Sequence, residues 1–344
     1  MTALLSSLLF LALTVVLAVV PVPFVGRAPG STVNVAGQNT SGSPVVKVEG
    51  LPTYPINGEL RMTTVSVTRV DSHLGLMEAL FDHVMTSRAV LPRKLVYPPG
   101  KSASEVKAEE VAMMGDSQSD AVVAALRAAG QPVAELPMVT AVSLSGPAFN
   151  QLQPGDLITK VDSIAVKTVN DVSEAIGAHR VGEPVVFTVT RAGAPKTVTV
   201  RTTGAPQNPD QPVVGIRLGI GFQYTPKVSY GVDPRIVGPS AGVVFSLAIY
   251  DLITEDDLLA GRRVAGTGTI QPDGQVGTIG GIVQKIKGAE KAGAEVFLVP
   301  AGNCVDVAGL KTSMELVKVE TLRDAIAGLQ KLKNSKDGTG VPRC

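Results

Sequence analysis

The run Gly238-Pro239-Ser240-Ala241-Gly242 sets a serine among small residues, directly ahead of an apolar stretch over residues 243–253. A serine nucleophile needs a group to take its proton. Gly-x-Ser-x-Gly matches the elbow of α/β-hydrolases, in which the histidine base follows the serine in chain order. The three histidines, His73, His83 and His179, all precede Ser240, and that arrangement is excluded. Lysine is another base used with serine, provided that it is neutral part of the time. Burial lowers a lysine from about 10.4 by several units. Residues 277–300 read as a glycine-rich lead, a short helix and a strand. On that helix Ile282, Ile286, Ala289 and Gly293 define one face, Lys285 falls about 60° from its centre, and Lys287 and Lys291 lie roughly opposite. Spacing alone leaves two readings of Lys285: an inward-pointing base, or a side chain snorkelling along the helix edge.

The surroundings of Ser240 suit acyl transfer. A helix start leaves backbone N–H groups unpaired and carries the positive end of the helix dipole, which favours an oxyanion. Gly238, Ala241 and Gly242 leave room for a substrate backbone. Other chemistries find little support. A net charge of +1, 4% aromatic residues and no tryptophan argue against nucleic acid. The histidines lack metal-ligand spacing and the two cysteines form no CxxC, so neither metal nor cofactor is expected. Cys304 and Cys344 are able to pair if this part of the chain lies outside the cytoplasm. Gly100-Lys101-Ser102 lacks the glycine that a phosphate loop needs at position 95, which is Leu95, so no ATPase is expected.

A chain of 344 residues implies two or three domains. Residues 4–25 carry no charge, and about 20 apolar residues suffice to span a bilayer. Without a basic leader or a small-x-small cleavage site they read as an uncleaved anchor. The first charge is Arg27, so charge leaves the orientation unmarked. Residues 28–58 read as a linker and 58–70 as a strand. Residues 74–85 read as a helix with Leu76, Ala79 and Leu80 on one side, and 102–130 as two helices parted near Ser117 or Ser119. Residues 137–202 read as short strands around one helix.

Within the last of these, "SGPAFNQLQPGDLITKVDSIAV…VNDVSEAI…GEPVVFTVTRAG", above all Leu152-x-Pro154-Gly155-Asp156-Leu157-Ile158, resembles a PDZ domain of the type attached to bacterial proteases. Such domains bind extended peptides by adding a strand to a sheet edge. The carboxylate-binding loop is expected just before Val139, where "GQPVAELPM" departs from the usual Gly-apolar-Gly-apolar pattern.

"GPSAGVVFSLAIYDLI" with "VAGTGTIQPDGQVGTIGGIVQKIKGAEKAGAEVFLVP" resembles the proteolytic domain of Lon proteases, the Ser–Lys peptidases, over about residues 206–330. The resemblance implies Ser240 as nucleophile, Lys285 as general base and Thr267 as the residue orienting that lysine, with Gly238, Ala241 and Gly242 in support. Val237 and Thr269 stand where ATP-dependent members often carry acidic residues. The whole chain resembles the bacterial group of membrane-anchored PDZ–Lon proteins. The fold so implied is a mixed α+β one: an N-terminal transmembrane helix, a small PDZ β-barrel-like domain and a Lon-type α/β proteolytic domain. The expected bounds are 1–26 for the anchor, 27–130 for an N-terminal α/β region, 131–204 for the PDZ domain, 205–334 for the proteolytic domain and 335–344 for a tail. Region 27–130 either belongs to the protease fold, with the PDZ domain inserted, or stands apart. The function implied is a membrane-anchored, ATP-independent serine endopeptidase with an extracytoplasmic catalytic part. It would act on unfolded or flexible peptide segments selected by the PDZ domain, without cofactor, as a single chain or a homo-oligomer. The alternative is a non-catalytic membrane-anchored PDZ adaptor with a Lon-like assembly domain.

Overall fold

The computed structural model describes residues 2–335 and 339–344. The chain divides into two compact units, one of residues up to 131 together with 226–344, the other of residues 132–225.

The first unit begins with α1 (Thr2–Val19), apolar on every side and exposed over residues 2–17, with Leu9 and Phe10 each 73% accessible. Among the described residues no helix is long and apolar enough to cross a membrane. The expected span of 4–25 is cut short because Pro21 cannot continue a helix. Residues 21–22 instead pair with 74–75, and strand β1 (Phe24–Asn34) follows. The expected linker over 28–58 therefore gives way to structure. Its Ser, Thr and Asn content hid β1, and residues 46–49 pair with 227–230. Next come β2 (Glu59–Val67), α2 (Leu76–Val84), β3 (Ala89–Pro92) and α3 (Ala103–Ala128). Of the expected stripe α2 buries Ala79 and half-buries Leu76, but it turns Asp82 inward and leaves Leu80 and Phe81 more than half exposed. Arg88 compensates the buried Asp82 carboxylate at 2.6 Å. α3 is one helix rather than two. Ser102 and Glu105 form a capping box at its start, and the Ser119 hydroxyl donates to the Gly115 carbonyl one turn back, so neither serine breaks it.

The second unit holds β4 (Ala134–Val142), β5 (Leu157–Val161), α4 (Val169–Gly177), β6 (Pro184–Arg191), β7 (Ala194–Arg201) and β8 (Ile216–Gln223). They form an antiparallel sheet in the order β7-β6-β5-β4-β8. Val139, Leu152, Ile158, Val172 and Phe187 fill its core. Asp156 of the Pro-Gly-Asp turn is fully buried, gripped by Arg191 through two bonds of 2.7 Å. The boundary expected at 204 falls inside this unit, since β8 pairs with β4 along its whole length.

The first unit resumes with α5 (Gly242–Ile253), β9 (Arg263–Gly266), α6 (Ile282–Lys291), β10 (Val296–Pro300), β11 (Glu315–Val319) and α7 (Leu322–Asn334). Both of its segments share one six-stranded sheet, ordered β11-β10-β9-β2-β1-β3. The four strands from β11 to β2 run parallel, while β1 and β3 complete the sheet antiparallel. Every residue of β10, VFLVP, is buried, as a parallel strand covered on both faces requires. Cys304 and Cys344 form a disulfide across 40 residues.

Candidate active site

Four elements of the first unit converge on one amine. Ser240 stands just before α5, Thr267 just after β9, Thr63 within β2 and Lys285 in the first turn of α6. The Lys285 Nζ lies 2.7 Å from Ser240 Oγ, 2.9 Å from Thr267 Oγ1 and 3.0 Å from the Thr63 carbonyl. Lys285 is 3% exposed, and Ile282, Ile286 and Ala289 of the same helix sit in the core. The inward reading of Lys285 is the one the fold adopts. Burial without an acidic partner pushes its pKa down to about 7.

The polarity of these bonds is fixed. A carbonyl only accepts, so the Thr267 hydroxyl donates to the Ser240 carbonyl at 2.9 Å and must accept from Lys285. The Thr63 carbonyl likewise only accepts. A neutral amine has two N–H groups and one lone pair. With both N–H groups committed to Thr63 and Thr267, the lone pair is left facing the Ser240 hydroxyl. Thr63 had no signal in the local sequence; it is brought in by β2 pairing with β9, and its own hydroxyl donates to the Gly266 carbonyl.

The serine loop is held from outside. The Gly238 amide donates to the Glu110 carbonyl at 3.1 Å, and the Ser117 hydroxyl of α3 donates to the Pro239 carbonyl at 2.8 Å. Gly238 has φ +93°, a conformation that favours glycine. Gly242 faces Ile270 and Ser117 so closely that a Cβ there would lie 2.9 Å from the Ile270 nitrogen. Among the described residues the Ser240 and Ala241 amides meet no hydrogen-bond acceptor, whereas the Val243 amide is spent on the Gly268 carbonyl. Two amides beside the Ser240 hydroxyl are therefore available to an oxyanion. A cleft of about 290 Å³ opens onto Ser240 and Lys285, walled also by Thr63, Val65, Met114 and Ile236. α5 is not apolar throughout, as residues 243–253 were expected to be. Asp251 is buried in it, accepts from the Leu258 amide at 3.1 Å, and is pushed up to about 6 by desolvation.

The second unit offers a distinct feature. β8 is the outermost strand of its sheet, and Ile220 is 60% exposed on it. The Gly-apolar-Gly-apolar run absent before Val139 is present here, as Gly219-Ile220-Gly221-Phe222. Both glycines are forced by crowding against β4. A Cβ on Gly219 would lie 2.7 Å from Thr140 Cγ2, and one on Gly221 would lie 2.8 Å from Met138 Cβ. Elsewhere, Gly100-Lys101-Ser102 serves the start of α3, with Lys101 paired to Glu109 at 2.6 Å and Ser102 as its cap.

Residues 119–202 match the PDZ domain family model, and residues 227–330 match that of the Lon protease (S16) C-terminal proteolytic domain. Similar curated proteins include Lon protease of Clostridium beijerinckii, 34% identical over 93 residues, or 26% of this chain and 11% of that protein. Lon protease 1 of Sorangium cellulosum is 38% identical over 105 residues, 28% of this chain and 12% of that one. Lon protease 2 of Bacillus subtilis is 32% identical over 91 residues, 26% and 16% of the two chains. The chain thus spans only a small part of the length of these relatives. Among solved structures, the PDZ domain of an SdrC-like protein from Listeria monocytogenes is 26% identical and covers 24% of this chain and 85% of its own, at a TM-score of 0.22. Alongside a PDZ domain, then, the chain carries a Lon-type (S16) proteolytic domain, and the Ser240–Lys285 pair lies within the matched residues.

Proposed function

We propose that this protein is an ATP-independent serine endopeptidase in which Lys285 is the base for Ser240, tethered to a membrane through α1. The observation that carries this reading is the 2.7 Å approach of Lys285 Nζ to Ser240 Oγ, with both other hydrogen-bonding directions of the amine already taken. Neutral Lys285 removes the hydroxyl proton as Oγ attacks the substrate carbonyl carbon. The Ser240 and Ala241 amides receive the developing oxyanion. The ammonium so formed keeps acceptors at Thr63 and Thr267, and it returns its proton to the leaving amine. Water, deprotonated by the regenerated amine, then hydrolyses the acyl-enzyme and releases Ser240.

A half-buried serine in a cleft of this size fits an extended segment rather than a folded surface, so unfolded or flexible chains are the substrates proposed. The outer edge of β8 would take a peptide as an added strand and select or position it. Tethering is supported by the exposed apolar surface of α1, which lacks a protein partner along most of its length. An extracytoplasmic site for the catalytic unit is supported by the Cys304–Cys344 disulfide, a bond that persists in oxidising compartments.

The test is cleavage of unfolded casein by the full chain in detergent micelles without ATP, beside Ser240→Ala and Lys285→Ala. Cleavage abolished in both folded variants upholds the dyad. A silent parent up to about pH 9.5, where such a lysine is neutral, with Ser240 unlabelled by a serine-reactive probe, would leave a non-catalytic PDZ adaptor in its place.

A further inference from the structure

Arg27 lines the cleft that holds Ser240 and Lys285. It projects from β1, is half-buried, and among the described residues its guanidinium makes neither hydrogen bond nor ion pair. Desolvation lowers its pKa below the ordinary arginine value. An uncompensated, partly desolvated cation is costly to keep, and a matched anion removes that cost. The wall of the cleft supplies none, for it contains no aspartate or glutamate. Its other arginine, Arg235, is exposed and already held by Asp233 at 2.6 Å. Tyr97 is the ionisable group that Arg27 senses, and burial pushes that phenol upward, so it stays neutral at physiological pH. Space is also kept for the guanidinium: a Cβ on Gly280 would lie 3.2 Å from Arg27 Nη1.

We propose that Arg27 is a specificity-determining residue that receives a substrate carboxylate next to the scissile bond, directing the dyad to acidic segments or to chain ends. This rests on the peptidase reading above. A guanidinium pairs with a carboxylate through two parallel hydrogen bonds, which an amide of the same shape cannot reproduce. The carboxylate belongs either to an Asp or Glu side chain or to the substrate's own C-terminus.

The experiment uses four quenched fluorescent peptides of one sequence, with Asp or Asn beside the cut and a free or amidated C-terminus, given to the full chain and to Arg27→Gln and Arg27→Lys. A preference of about tenfold for one carboxylate is expected in the parent, shrinking to within about twofold in Arg27→Gln. Preference for Asp over Asn identifies the side chain as the source; preference for the free over the amidated end identifies the terminus. Binding of the same peptides to Ser240→Ala, followed by anisotropy, reads capture without turnover. The contribution of the PDZ unit is common to Ser240→Ala and Ser240→Ala/Arg27→Gln and cancels between them. Equal treatment of all four peptides by the parent, or a preference that survives Arg27→Gln, overturns the proposal while cleavage itself leaves the peptidase standing. Conversely, Arg27-dependent binding by a chain that never cleaves would sink the peptidase reading and keep the carboxylate site.

Discussion

Raising the pH from 5.5 to 10 is expected to switch on peptide cleavage as Lys285 sheds its proton. A pKa of about 7, against 10.5 for an unperturbed lysine, corresponds to about 5 kcal/mol of differential stabilisation of the neutral form. Half of the molecules then hold a competent base at pH 7, roughly three orders of magnitude more than an unperturbed lysine would give. The rate should follow one ionisation with its midpoint near 7 and level off by about pH 9. Stability carries the same signature. Because the folded pKa lies below the unfolded one, this stability is fully present above about 10.5, falls as the pH drops toward 7, and is level below that. Lys285→Met removes the penalty of the buried amine but leaves the Thr63 carbonyl unpaired, at a cost of about 1–3 kcal/mol. The variant should therefore be inactive yet about 2 kcal/mol more stable than the parent at pH 7, with the gain reversed above pH 10.5. Kinetics with a quenched peptide and urea titrations at matched pH values measure the two effects. A midpoint near 10, or a Lys285→Met variant as destabilised at pH 7 as at pH 10.5, would refute the desolvated-base argument.

Three further outcomes are expected. Thr267→Val loses both the donor to the Ser240 carbonyl and an acceptor for Lys285, so kcat should fall about 10- to 100-fold with KM little changed, and Thr267→Ser should restore most of it. Asp251, raised to about 6, weakens the fold as the pH rises through 4 to 6. Asp251→Asn keeps the acceptor for Leu258 and should raise stability by up to about 3 kcal/mol at pH 8, with little gain at pH 4, by thermal melts at each pH. Reduction of Cys304–Cys344 frees a 40-residue loop and should lower stability by about 4 kcal/mol at most, read from urea midpoints with and without reductant.

The Ser240–Lys285 pair was legible only in part. Ser240 is marked by its small neighbours, whereas the angle of Lys285 on a short amphipathic helix left both an inward and a snorkelling side chain open, and the resemblance to Lon proteases chose between them. What the sequence hid is what comes from afar or from polar composition. Thr63 meets Lys285 through long-range packing, with β2 paired to β9 and α6 lying against β2, and no nearby residue signals it. β1 is written in Ser, Thr, Gly and Asn, so its strand character rests on its partners rather than on propensity. α3 read as two helices because Ser117 and Ser119 resemble caps, yet Ser117 is buried with its hydroxyl bonded to the Pro239 carbonyl. The glycine run lies on β8 and not before Val139, because the strand that completes that sheet follows the other strands in the chain rather than preceding them.

The bond from Lys285 to the Thr63 carbonyl joins residues 222 positions apart. Closing a flexible loop of that length costs about 5 kcal/mol in chain entropy, and the whole second unit lies within it. During synthesis the N-terminal segment must wait, its strand edge unmatched, until the last third of the chain emerges. A half-made molecule holds the Thr63 carbonyl without the Lys285 amine. On the peptidase reading, competence thus waits until Lys285 has been made and has reached Thr63, and a break that lets the two segments part would withdraw it.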